Sequence, residues 1–66
     1  MSQLFLPAEV AALLRIEPRT LADWRYRGVG PPYIRLGGRD VRYRRSEIER
    51  FLADREHQNT AQEGGA

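Results

Sequence analysis

The 66-residue chain has no cysteine and one histidine, His57, which excludes disulfides and thiolate zinc sites and argues against any metal site or bound cofactor. Its net charge of only +2 hides a segregation: Arg15 to Arg45 holds nine arginines against Glu17, Asp23 and Asp40, whereas Ser46 to Ala66 holds two arginines against five acids. A basic middle beside an acidic end suits one face turned to a polyanion and another turned away from it.

No apolar run approaches the ~20 residues of a membrane span, and no signal-peptide pattern opens the chain. It reads as one small, soluble, cytoplasmic domain whose core rests on a few large residues, with Phe5, Trp24, Tyr33, Tyr43 and Phe51 as candidates.

Met1 to Leu6 is an apolar lead-in. Pro7 suits the first position of a helix, and Glu9 in the first turn suits the helix dipole. Val10, Leu13 and Leu14 follow at i, i+3 and i+4, so a first helix with one buried stripe is expected over Pro7 to Leu14. Arg15-Ile16-Glu17 is the turn, with Ile16 as its buried plug. Pro18 then biases Glu17 away from helical geometry and starts a second helix.

That second helix, Pro18 to Arg27, is closed by Gly28 as a left-handed cap. Leu21 and Trp24 lie three residues apart on its inner face, which turns Arg19, Thr20, Asp23, Tyr26 and Arg27 outward. Guanidinium groups offer paired donors to guanine or phosphate, and a threonine can meet a thymine methyl. Two short helices joined by such a turn make a helix-turn-helix. Arg15 and Arg27 are further candidates for contact with a nucleic-acid backbone.

Val29-Gly30-Pro31-Pro32 forces an extended connector. Tyr33 to Leu36 and Val41 to Arg44 alternate about Gly37-Gly38-Arg39-Asp40, the pattern of a β-hairpin. On this pattern Ile34, Leu36, Val41 and Tyr43 pack on the helices, Arg35, Arg42 and Arg44 point away, and Arg39 rides the tip. Ser46 with Glu49 reads as a capping box opening a third helix at Glu47, with Ile48, Phe51 and Leu52 as its apolar stripe. The helix is expected to fade near Arg55 or Glu56. The fold class is therefore mostly α with a small β-hairpin: a winged helix-turn-helix of order α-α-β-β-α over residues 1–56, followed by a disordered tail over 57–66.

The runs E-V-A-x-L-L (Glu9 to Leu14), R-T-L-x-x-W-R (Arg19 to Arg25) and R-L-G-G-R-x-V-R-Y-R-R-S-E-I-E-x-F-L (Arg35 to Leu52) resemble the small excisionase and AlpA-like proteins. These are winged-helix relatives of the DNA-binding domains of MerR-type regulators. The resemblance implies that helix 2 enters the major groove and the wing lies over an adjacent minor groove. Arg19, Thr20 and Asp23 then stand at base-contacting positions and Arg25 near the backbone. Gly37, Gly38 and Arg39 match the wing tip, and Arg42 and Arg44 match wing positions near phosphates. Asp23 replaces the residues common in relatives and could accept from cytosine N4.

No nucleophile–base pair, carboxylate dyad, phosphate-binding loop or metal cluster stands out, so no enzyme is expected. The resemblance implies a double-stranded DNA-binding excisionase, a recombination directionality factor acting with a separate integrase in a bacterial cell. Copies would associate head to tail on the nucleoid DNA. The alternative is a small AlpA-like transcriptional regulator. A protein-binding module such as a MerR-like antitoxin comes third, because the tail has little apolar content to grip a partner.

Overall fold

The computed structural model describes the backbone of residues 3–64 and the side chains of residues 3–58. A two-residue strand β1 (Leu4–Phe5) precedes α1 (Pro7–Leu14), α2 (Pro18–Arg27), β2 (Ile34–Gly37), β3 (Asp40–Arg44) and α3 (Arg45–Gly64). This is the mostly helical winged helix-turn-helix expected, with one strand added. Residues 4–5 are more than an apolar lead-in: they pair antiparallel with β3, Leu4 opposite Arg44 and Phe5 opposite Tyr43. The sheet order is β1-β3-β2.

Both helices of the helix-turn-helix have the expected bounds, because proline opens each and a left-handed residue closes each. At α1 the Leu6 N–H donates to the Glu9 carboxylate at 2.7 Å, so Glu9 satisfies a first-turn donor as well as facing the helix dipole. The turn lacks glycine, and Arg15 takes the left-handed position instead (φ 58°, ψ 43°). Its N–H reaches Ala12 O at 3.2 Å and the Ile16 N–H reaches Ala11 O at 3.0 Å. Those two bonds offset the roughly 1–2 kcal/mol that a non-glycine residue loses there.

The α1 stripe differs from expectation by one position. Val10 and Ala11 are buried and Leu14 is half-buried, while Leu13 is exposed. Helix α1 packs against α2 on one side and β3 on the other, and the small Ala11 methyl permits that close double contact. Ile16 packs against the core as the plug of the turn.

The core proper is Val10, Ala11, Leu21, Val41, Tyr43 and Ile48, with Phe5, Leu14, Ile16, Trp24 and Tyr33 packed around it. Gly30 fits the connector between α2 and β2 for two reasons. Its φ is +81°, and a Cβ there would lie 2.6 Å from Trp24 Cε3. The chain thus leaves α2 pressed against the indole.

The hairpin corrects the expected alternation. Gly37 pairs with Asp40 at the turn, but Arg35 pairs with Val41 and Ile34 with Arg42, because Leu36 is an extra residue in β2. Such a bulge slips the register by one and exchanges the faces of everything beyond it. Val41 and Tyr43 still face the core. Ile34 lies instead on the face of Arg42, Leu36 is exposed, and Arg35 falls opposite Val41 with its guanidinium over the Tyr33 ring, 5.9 Å from the centroid.

Helix α3 begins at Arg45, not Glu47. The Arg45 N–H donates to Gln3 O at 2.8 Å, so the last rung of the sheet runs directly into the first helical turn. Glu49 then lies one turn beyond Arg45 and takes its Nε at 3.1 Å. Ile48 is buried and Phe51 half-buried, its ring 6.0 Å from that of Trp24. Leu52, expected inside, is exposed, as is every side chain from there to Gln58. The backbone nevertheless stays helical to Gly64, past the end expected at Arg55 or Glu56 and over most of the segment expected to be a disordered tail. Ala, Gln and Glu favour helix there, and no proline or glycine intervenes before Gly64. Gly65 and Ala66, the last residues of that segment, lie outside the described residues. No helix among the described residues is long and apolar enough to cross a membrane.

Candidate nucleic-acid interface

Helix α2 has two unlike sides. Leu21 is buried and Trp24 half-buried beneath it. Opposite them, Arg19, Asp23, Tyr26 and Arg27 recur at i, i+4, i+7 and i+8 and are all exposed, forming one stripe along the helix. Thr20 is half-buried on the flank, its N–H donating to Glu17 O at 2.9 Å in the first turn.

Within the stripe, Asp23 Oδ2 and Arg27 Nε form an ion pair at 2.8 Å. Acid preceding base by one turn is the favourable order on a helix. Arg25 stands apart from this stripe. It is half-buried, and its Nη1 donates to the Tyr43 hydroxyl at 3.0 Å, which ties α2 to the middle strand of the sheet. The bond satisfies the polar end of the most deeply buried aromatic side chain. Arg25 thus has a structural role that sequence reasoning did not anticipate.

The wing presents a second set. Gly38, with φ +53°, occupies the first of the two central turn positions and Arg39 the second, both exposed. Positive φ at the first position alone is the pattern of a type II′ hairpin turn, and it holds the Arg39 side chain at the tip. Arg42 is half-buried, with Nη1 on Val41 O at 2.9 Å. Arg44 is exposed and lines a shallow hollow with Pro32, Tyr33, Ile34 and Glu47. Arg15 is exposed in the turn between α1 and α2.

The fold therefore brings Arg19, Asp23 and Arg27 together on one helical face, and Gly38 with Arg39 on one turn. Arg42 and Arg44 share a strand face, whereas Arg25 is turned toward the core. On α2, the residue expected to face outward but left out of the candidate set is Tyr26, which is 91% exposed. Its signal was legible: it lies seven residues after Arg19 and so falls on the same face. A large aromatic ring in water on a short, well-anchored helix offers an amphipathic contact to another molecule.

A family model described as a helix-turn-helix domain matches residues 5–56, from the second residue of β1 into α3. No curated protein and no solved structure matches the chain.

Proposed function

We propose, from the premise that this chain belongs to the helix-turn-helix domain family of AlpA-like and excisionase-type small DNA-binding proteins, that it acts as a recombination directionality factor. Sequence-specific binding of double-stranded DNA is the activity of the family domain. In the proposed complex, helix α2 enters the major groove, where Arg19 and Thr20 approach base edges. The wing tip carries Arg39 toward the neighbouring minor groove, where arginine favours narrow A·T-rich stretches. Arg42, Arg44 and Arg15 hold phosphates.

The observation that supports this most directly is the exposed stripe on α2, set on a helix whose opposite side is anchored by Leu21, Trp24 and the Arg25–Tyr43 bond. A reader needs that combination of rigid root and polar, solvated face. Copies side by side on an attachment site would bend it and assist a separate integrase, with the protein held to the bacterial nucleoid by its target.

Titration onto the duplex beside its own gene and onto a scrambled duplex, across a salt series and with circularly permuted probes, tests the reading. Salt-sensitive, specific binding in several steps with a bend is expected. Arg19→Ala should then weaken the specific complex by about 1–3 kcal/mol and relax preference at one position. A single unbent specific complex would replace the excisionase by a small regulator. Absence of binding to both duplexes at low salt would turn attention to a protein partner.

A further inference from the structure

We infer that Asp23 does not itself read a base but is a positioning residue that aims the Arg27 guanidinium at a guanine in the major groove. The inference rests on the reading of α2 as the major-groove element. It stands on three observations. Asp23 Oδ2 lies 2.8 Å from Nε of Arg27, an ion pair within the helix. Both side chains are more than half exposed. Both belong to the stripe that includes Arg19.

The geometry decides between two roles for Asp23. A carboxylate on the groove-facing side of a DNA reader is repelled by phosphates unless a cation neutralises it or a base donates to it. Arg27 supplies that cation from within the same helix. With Nε beside the carboxylate, Nη1 and Nη2 form the outer end of the guanidinium, two parallel donors that match guanine O6 and N7.

Position along the helix agrees. Arg27 is the last residue of α2, where a side chain pointing straight out would miss base edges near the groove centre. Helical side chains lean toward the N-terminus, and the contact with Asp23 draws the Arg27 guanidinium back by one turn, over the middle of the stripe. In water such an exposed pair adds little to stability, so orientation is its larger consequence. Exclusion of water as the helix seats would strengthen the pair and stiffen the aim.

Selection of binding sites from randomised duplexes, with wild type, Asp23→Ala, Arg27→Ala and the double variant, tests this. Circular dichroism of each variant confirms that it is folded. Wild type should require guanine at one position, and Arg27→Ala should lower that preference by about tenfold. Asp23→Ala should erode the same guanine preference at the same position, by about fivefold, and the double variant should be no worse than Arg27→Ala alone. Replacing that guanine by 7-deazaguanine should weaken wild type and leave Arg27→Ala unmoved. If Asp23→Ala alters preference at a different base pair, or strengthens binding to all sequences alike, the positioning role is wrong while DNA reading stands. If wild type selects no sequence at all, the major-groove reading of α2 fails, and the inference falls with it.

Discussion

Helices α2 and α3 are built on opposite plans, and the difference locates where this small protein is held rigid. Helix α2, ten residues long, is held along its length: proline at its start, Leu21 and Trp24 beneath, Arg25 bonded to Tyr43, and Gly28 closing it before the chain turns back across the indole at Gly30. Helix α3, twenty residues long, is held at its beginning, by Ile48 and by Phe51 against Trp24. Beyond Phe51, Arg55 folds back along the helix, its guanidinium 5.2 Å from the Phe51 ring centroid. A helix that must place side chains against another molecule gains from anchorage at both ends. One that completes a core needs only the turns that touch it.

The sharpest way to break that contrast is Gly30→Ala. The new methyl would meet Trp24 Cε3 at 2.6 Å in a left-handed backbone, so strain and overpacking act together on the anchor of α2. The expected loss of stability is about 2–4 kcal/mol, read from urea denaturation. Gly28→Ala is the control, because Gly28 has a similar φ of +74° but nothing within 4 Å of a Cβ; strain alone should cost it about 1 kcal/mol. Equal midpoints for the two variants would show that the connector does not brace the helix. A smaller effect sharpens the comparison from the strand side. Tyr43→Phe removes the hydroxyl that accepts from Arg25 at 3.0 Å while keeping the ring in the core. It should lower stability by about 1 kcal/mol. No change on denaturation would mean that the guanidinium contributes nothing to fixing α2 on the sheet.

The same contrast explains which parts were legible beforehand. The bounds of α1 and α2 could be read because proline and glycine act locally, at the residues where they stand. The hairpin could be read as a hairpin, but its register could not. Alternation in Tyr33 to Leu36 and Val41 to Arg44 assumes an unbroken ladder, and the extra residue at Leu36 moves Ile34 to the other face without any local signature. Strand β1 was hidden because two residues carry no periodicity, and its pairing with β3 is a long-range contact. At the candidate site, the outward face of α2 followed from the spacing of Leu21 and Trp24. The engagement of Arg25 by Tyr43 did not, since it depends on two elements eighteen positions apart. Nor did the pairing of Asp23 with Arg27 suggest itself while each was considered alone.

The smallest expected effect concerns the outer part of α3, and it separates backbone helicity from contribution to the fold. Side chains from Leu52 to Gln58 are exposed, so nothing there is buried that removal would expose. Helices of fewer than about 12–15 residues are marginal in water without packing, so the turns beyond Glu56 draw their order from the anchored turns before them. Deleting residues 57–66 should therefore change unfolding free energy by less than about 0.5 kcal/mol. Far-UV circular dichroism should lose only the ellipticity of those turns. The deletion also removes Glu63, and at physiological salt, with screening over about 8 Å, affinity for DNA should rise slightly or stay unchanged. A fall in melting temperature of more than about 4 °C would mean that the outer turns pack on the domain, and that α3 is held at both ends as α2 is.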